Sequence, residues 1–471
     1  MRRRVIISVQ FAALFAVFLF FGFYKYQSNP RDVTGYFSSE PVSDWPNSES
    51  GSSRMSFDQN TAGGAAGDAS NDANDDADYS EPNSPPNTGN ATQPEVAQSY
   101  VDSILDDEDG SIDRLKCPVP QWERYKYLRR DSAETTGTSH YRKYYFALDL
   151  YQCAPLLPRL MGSVVEAIRF LGPFDCAVSV VEGRSDDGTW EILSLLRPQL
   201  EALGVAVYLT KNDVDPMGEG VYRIDALAEL RNAALAPLQL FRDQFSREET
   251  TVIFINDVAI CTEDILELIR QRLYQNADMV CAMDWTYVGP EPTFYDVWIA
   301  RGMTGDLFFN IPPDGSWDLA WDLFWNDPTS RAAQQSGRPF QVYSCWNGAT
   351  AFTAKPIMDC QIKFRVQFED ECPQGEPKSL CKDMWAKGYG KIAVIPSVNL
   401  EYSNEAGKRI KNSKGYVSRW LQQGGSDDKI DWQISPPAEV KCMPTHENQF
   451  FEPWDAQLAE NEHYPNCIIL S

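Results

Sequence analysis

Thr251-Val-Ile-Phe-Ile-Asn-Asp-Val-Ala-Ile260 sets an uninterrupted apolar run against an abrupt polar pair. Val252 to Ile255 are aromatic or β-branched, which predicts a strand covered on both faces. The run stops at Asn256-Asp257. Open α/β sheets hold their ligands in the crevice beyond the carboxyl ends of the strands, so Asp257 stands where a bound group would meet the protein. Its ionised carboxylate is a hard oxygen ligand for Mn²⁺ or Mg²⁺, ions usually held by one or two carboxylates together with substrate phosphates. A plainer role also fits: the Asp caps a turn before a helix opening at Glu263-Asp264.

Outward from this strand, strand and helix patterns alternate. Tyr144 to Leu150, Cys176 to Val181 and Val205 to Leu209 read as earlier strands, and Met279 to Met283 as a later one. Pro158 to Leu171 puts Leu160, Val164, Val165, Ile168 and Leu171 on one helical face. Trp190 to Leu203, Ile224 to Leu240 and Glu263 to Gln275 also read as helices. Such alternation predicts an α/β fold with a mostly parallel sheet and helices on both faces. Beyond Asp284 the periodicity fades. Trp285 to Asn347 is rich in Trp, Phe, Tyr, Asp and Gly, which suits a loop-rich wall of aromatic platforms for a sugar acceptor and equally an irregular core. Ile392 to Pro396 reads as one more strand, and a polar tail starts near Ser435.

The flanks and composition narrow the function. Met1-Arg-Arg-Arg4 precedes Val5 to Tyr24, roughly 20 mostly apolar residues, about the length that spans a bilayer. The arginines favour a cytosolic N-terminus, and Tyr-Lys-Tyr-Gln after the run offers no small-residue cleavage site, so an uncleaved signal-anchor is expected. From residue 25 to about 115 the chain is acidic and rich in Ser, Asn, Asp, Gly and Pro, without Lys or Arg between Arg54 and Arg114. It reads as a disordered spacer, with a short helix possible at Ser99 to Leu105 and a glycosylation sequon at Asn90-Ala-Thr92. The folded part, 116–471, divides into a nucleotide-side half over 140–284, an acceptor-side half over 285–434 and the tail. A net charge of −25 excludes a phosphate-tracking nucleic-acid binder. Three histidines, His140, His446 and His463, lie far from the central motifs. The 11 cysteines contain no CxxC pair, against a zinc ribbon, and their odd number leaves at least one thiol outside any set of internal bridges.

If the sheet is doubly wound, the loop Glu182-Gly-Arg-Ser-Asp-Asp-Gly-Thr189 borders the same crevice as Asp257. Arg231-Asn232 in the long helix precedes the Asp257 strand, and arginine grips phosphate oxygens in a fork. Each has an ordinary reading too, an Asp-rich helix cap and a solvated helix face.

The order of Tyr145-Phe-Ala-Leu-Asp149, Leu171-Gly-Pro, Val178 to Thr189, Tyr222-Arg-Ile224, Leu230-Arg-Asn-Ala233, Ile255-Asn-Asp-Val258, Tyr295-Asp-Val-Trp298 with Ala300-Arg301, and Ser344-Cys-Trp-Asn-Gly348 resembles the fungal α-1,3-mannosyltransferases linked to cryptococcal capsule synthesis, glycosyltransferase family 69. The resemblance runs from about Tyr144 to Tyr402. It implies a GT-A-like fold, a GDP-mannose donor, a glycan or polysaccharide acceptor, a divalent cation, and a type II Golgi membrane protein, possible member of a glycosyltransferase complex. Carried over by position, it puts Glu182, Asp186, Asp187, Arg231, Asn232 and Asn256 at the nucleotide sugar. Asp257 would hold the metal, with Arg231 and Asp296 beside the reaction. Asp284, Tyr295, Trp298, Arg301, Trp346 and Asn347 fall on the acceptor side, with Glu371 and Glu376 as weaker candidates from a partly matching acidic stretch. Asn256-Asp257 departs from the D-x-D usual in GT-A enzymes. That departure keeps open a non-catalytic glycan-binding or scaffold relative, and the donor could also be another sugar nucleotide such as UDP-xylose.

Overall fold

Tyr144-Tyr-Phe-Ala-Leu-Asp-Leu150 and Cys176-Ala-Val-Ser-Val-Val-Glu182 bury all but one of their residues, as strands covered on both faces must. They form the heart of the sheet in a computed structural model that describes residues 94–130, 141–288, 291–424 and 427–458. The expected membrane segment, Asn90, His140 and His463 lie outside the described residues. Among the described residues, no helix is long and apolar enough to cross a membrane.

The first half of the chain gives α1 (Pro94–Leu105), β1 (Tyr144–Leu150), α2 (Leu157–Leu171), β2 (Cys176–Glu182), α3 (Thr189–Leu203), β3 (Ala206–Lys211), α4 (Arg223–Leu240), β4 (Thr251–Ile255) and α5 (Thr262–Tyr274). The second gives β5 (Met279–Tyr287), β6 (Pro292–Phe294), β7 (Arg301–Gly302), α6 (Pro328–Gln335), β8 (Phe340–Ser344), β9 (Ala349–Thr353), α7 (Glu376–Ala386), β10 (Ile392–Leu400), α8 (Asn404–Lys414), α9 (Val417–Gln423), β11 (Glu439–Cys442) and β12 (Phe450–Pro453).

Strand order is β3-β2-β1-β4-β9-β5-β10-β8-β7, with β6 on β5. β3, β2, β1 and β4 run parallel. The expectation of a mostly parallel sheet holds, and β9 enters antiparallel between β4 and β5. β5 and β10 are parallel again, whereas β8 and β7 reverse. The sheet is therefore mixed, and its carboxyl edge at β1, β2 and β4 is the parallel part.

Two apolar cores sit on opposite faces. One gathers α1, α2, α3 and α5 through residues such as Val101, Ile104, Leu160, Ile192 and Ile265. The other gathers α4 and α7 through Leu230, Leu235, Leu380 and Met384. α1 corrects the disordered spacer at its end: Ala97, Val101 and Ile104 are buried, and the Arg114 guanidinium reaches the carbonyls of Ser103 at 2.5 Å and Pro158 at 3.1 Å. Disulfides join Cys117 to Cys261, Cys281 to Cys345, and Cys372 to Cys442. Cys153, Cys176 and Cys381 are free and buried.

Candidate active site

Where β4 ends, the Asn256 N–H donates to the Gly348 carbonyl at 2.9 Å and the Val258 N–H to the Asn256 carbonyl at 2.8 Å. This tight turn presents Asp257 at an open surface. Protein crowding it from behind pushes its carboxyl up to about 6, with its own backbone N–H and Arg231 opposing the rise. A second acid lies alongside. Asp149 follows Leu148, the residue level with Ile255 in the parallel β1–β4 pair. Tyr145 and Ala147 point into the α4-side core, so alternation sends Asp149 to that face. Burial pushes its carboxyl up to about 6; Arg231 opposes the rise and Asp257 adds to it. Asp149 was quoted only as part of a motif. The rule that picks Asp257, an acid closing a buried strand, picks Asp149 equally well.

Arg231 projects from α4 into the same place. Its guanidinium lies 5.0 Å from the Trp346 ring centroid and 5.7 Å from that of Phe364, and it is ion-paired with Glu376 at the first turn of α7. Burial lowers its pKa to about 10, against the pull of Asp149 and Asp296. The neighbouring Asn232 serves the backbone instead. Its amide donates to the Phe364 carbonyl at 2.8 Å and accepts the Phe364 N–H at 3.0 Å, which corrects its expected place at the nucleotide.

On the other side of Arg231, Cys345-Trp-Asn-Gly348 makes the turn from β8 into β9, with Asn347 and Gly348 both at positive φ, 56° and 79°. These are residues that tolerate the left-handed region. The Trp346 indole N–H donates to Asn256 Oδ1 at 3.1 Å, and the Asn347 N–H donates to Asp296 Oδ2 at 3.0 Å. Asn347 itself is buried, its amide donating to the Ala282 carbonyl at 2.8 Å. Trp346 and Asn347 thus build the wall rather than offer an exposed acceptor platform. Asp284 lies inside β5, fully buried, and accepts the Tyr402 hydroxyl at 2.6 Å. Burial holds its carboxyl well above the usual range, and Asp296 adds to this. Asp296 is half-buried and pushed up to about 6 by burial, with the Asn347 N–H and Arg231 opposing. Tyr295 is exposed, its ring 5.0 Å from that of Tyr402; Tyr402 closes the network unforeseen. One acceptor-side expectation is corrected, that of Arg301. Arg301 is fully buried and donates to the carbonyls of Val297, Ala300 and Lys441. Trp298 stacks on His446 at 5.1 Å.

The β2 loop supplies a third wall. Glu182 ends β2, buried, with one carboxylate oxygen accepting the Ser185 N–H at 2.6 Å and the other without a hydrogen-bond partner. Burial raises its pKa. Asp186 is exposed and accepts the Gln152 amide. Asp187 takes the ordinary role, accepting the Thr189 N–H at 3.0 Å at the start of α3 and the Ala154 N–H at 2.9 Å. Glu371 also proves structural: Arg365 and Lys382 grip it and hold its carboxyl down to about 2, although burial pushes the other way.

The donor set fits a hard divalent cation. Asp257 is open to solvent and its charge acts on Asp149, with oxygen ligands alone and room left for phosphate oxygens. Elsewhere among the described residues, Cys372, Cys442 and Glu452 cluster, but the two sulfurs are joined as a disulfide.

An α/β sheet whose carboxyl edge gathers acids around one buried guanidinium, under aromatic walls, has the build of a glycosyltransferase. Sequence comparison gives the family. Residues 143–383 match the family described as Cryptococcal mannosyltransferase 1. The chain is 36% identical over 341 residues to alpha-1,3-mannosyltransferase CMT1 of Cryptococcus neoformans, covering 69% of this chain and 71% of that relative. It belongs to that family. Solved structures are far more distant. The mannosyltransferase PcManGT of Pyrobaculum calidifontis, in complex with GDP-Man and Mn²⁺, is 14% identical with a TM-score of 0.33, over 60% of this chain and 63% of that one. TarS of S. aureus is 15% identical with a TM-score of 0.32, over 55% of this chain and 60% of that one. Likeness at that level carries no argument.

Proposed function

We propose that the protein transfers mannose from GDP-mannose to a hydroxyl of a glycan or polysaccharide, forming an α-1,3 linkage with retention at the donor carbon. The observation that carries this reading is the meeting of Asp149, Asp257 and Arg231 at the carboxyl ends of two adjacent parallel strands. Membership of a mannosyltransferase family supports it.

Asp257, with Asp149, would hold a divalent cation, which when bound supplies positive charge against the diphosphate of the donor. Arg231 adds a fixed guanidinium where negative charge develops on the leaving diphosphate, and Trp346, Phe364 and Glu376 keep it from swinging away. Glu182 offers a carboxylate oxygen to hydrogen-bond donors of the nucleobase. Asp296 keeps a partly open carboxylate next to Arg231, suited to orienting the acceptor hydroxyl. Tyr295 gives that side an exposed ring. The disulfides are of the kind that persist in oxidising compartments, in keeping with a lumenal, membrane-anchored enzyme of the Golgi.

The test is thermal stability of the full chain with GDP or UDP, with and without Mn²⁺, alongside Asp257→Ala. A ligand that binds only the folded state raises its apparent stability. A Mn²⁺-dependent rise with GDP, absent in the variant, is the expected result. A rise with UDP alone changes the donor, and no rise with either nucleotide overturns the transferase reading.

A further inference from the structure

A cleft of about 470 Å³ lies away from the acids just described, between the stretch that starts at Trp321, helix α6, and the α8–α9 turn. Its rim carries an indole that is 72% exposed, Trp321. Burying a ring of this size is normally favourable, so so large an exposed indole marks a surface that gains by being covered. The second indole, Trp420, is fixed. Its N–H donates to the Lys414 carbonyl at 2.9 Å, and a Cβ on Gly337 would come within 2.4 Å of its ring. Between the rings stand side-chain amides, Gln334, Gln335 and Gln423. Each offers a donor and an acceptor at once.

Three cations, Arg331, Lys414 and Arg419, line the cleft beside one carboxylate, Asp322. Arg331 pairs with Asp322 at 2.7 Å. Lys414 lies 4.3 Å from the Trp285 ring centroid and feels Glu291. Arg419, exposed on α9, also lines the cleft; the remaining lining offers two indole rings edged by neutral amides. Sugar rings are amphipathic in the matching sense, with a C–H face and a rim of hydroxyls. A volume of 470 Å³ falls in the range of small-ligand sites.

We propose that this cleft binds a neutral oligosaccharide, with Trp321 as its stacking platform and Gln334 and Gln335 as its hydroxyl partners. That the bound chain is a segment of the acceptor glycan rests on the transferase reading; the binding itself does not. Trp285, beneath Lys414, directly follows Asp284 in β5, so one strand joins the cleft to the acceptor-side acids.

The experiment is calorimetric titration of the full chain in detergent with mannotetraose, laminaritetraose, xylotetraose and tetragalacturonate. The variants Trp321→Ala, Gln334→Ala/Gln335→Ala and Asp257→Ala run alongside. The expected result is millimolar or tighter binding of at least one neutral tetramer, weakened at least tenfold by Trp321→Ala and by the double glutamine change, and untouched by Asp257→Ala. Trp321 is exposed, so its loss leaves the melting temperature in place, and a fold defect is separately visible. Absence of binding by every neutral tetramer overturns the proposal, as does preference for tetragalacturonate or equal binding by Trp321→Ala. The transferase reading is tested separately, by the Mn²⁺-dependent stabilisation with GDP and its loss in Asp257→Ala, so failure of the cleft and failure of that reading are distinguishable.

Discussion

Arg231 allows the sharpest separation of catalysis from architecture. Its side chain is 12% exposed and that of its partner Glu376 is 2% exposed. Arg231→Met keeps an unbranched, flexible stem and removes the guanidinium charge, leaving Glu376 buried and unmatched. Breaking a buried pair from one side costs about 3–5 kcal/mol. Losing the cation from the face of Trp346 adds about 1 kcal/mol. Glu376 retains the favourable field of the α7 N-terminus, worth about 0.5 kcal/mol, so the net expectation is a loss of about 3.5–5.5 kcal/mol. Arg231→Met/Glu376→Gln removes both charges, and replacing a buried pair by neutral groups is often close to neutral in stability. The double variant should therefore regain most of the loss, remaining lower by about the 1 kcal/mol of the ring contact.

Activity should not follow. If Arg231 meets charge developing on the leaving diphosphate, transfer stays reduced by about 10²–10³ in both variants. The assay pairs urea-denaturation midpoints with the rate of mannosyl transfer under saturating donor. Recovery of transfer to within tenfold of wild type in the double variant would refute the catalytic role. A single variant as stable as wild type would refute the burial argument itself.

Asp284 gives a pH-dependent prediction. Its folded-state pKa is raised well above the ordinary 3.8, chiefly by burial, so the folded protein holds a proton that the unfolded chain has released once the pH exceeds about 4. Stability from this group is therefore full below pH 4 and declines as the pH rises toward the folded-state value. Asp284→Asn is neutral at every pH and still accepts from Tyr402, so it should melt above wild type at pH 7.5, with the gap closing by pH 4. A gap that stays constant with pH would sink the assignment. The folded boundary gives the other: a chain shortened to begin at Leu115 loses the buried Val101 and Ile104 of α1. At about 1.5–3 kcal/mol for each such side chain, it should be less stable by several kcal/mol than one beginning before Pro94. Equal melting temperatures would show that α1 contributes nothing.

The first half of the fold was legible because β1, β2, β4 and the start of β5 are long apolar runs, and a buried parallel strand needs just that. The second half hid its elements for definite reasons. β9, Ala349-Thr-Ala-Phe-Thr353, is made of small and hydroxyl residues apart from Phe352, and its burial comes from the strands on either side. α7 contains Glu376, Lys378, Lys382 and Asp383, all buried, so no apolar stripe announces it and the stretch reads as an acidic loop. There Arg365 binds both Glu371 and Asp383, and Lys382 joins Glu371. The site divides in the same way. Asp257 and Arg231 could be chosen from chemistry and chain position. Asn232, Asn347 and Arg301 came with the family motifs, and a motif does not separate a residue that touches ligand from one that ties backbone.

Charge inside the crevice imposes an order on binding under the proposed reading. Asp149 and Asp296 are pushed to about 6 by burial and Asp257 to about 6 by the protein crowding it from behind, and Glu376 already matches Arg231. Arg223, at the exposed start of α4, is another cation whose field reaches Arg231 and Tyr295. A diphosphate entering alone would bring two further negative charges against walls that already resist ionisation. Arg231 meets it from a position fixed by Glu376, which already offsets part of its charge, and a full turn away from Glu376 would carry a loss of the size worked out above. Positive charge delivered with the diphosphate removes the conflict, because the carboxylates of Asp257 and Asp149 then ionise toward it instead of against each other. Donor and cation should consequently bind far more tightly together than either does alone, and the strength of that coupling measures how much of the crevice's charge is left unbalanced without them.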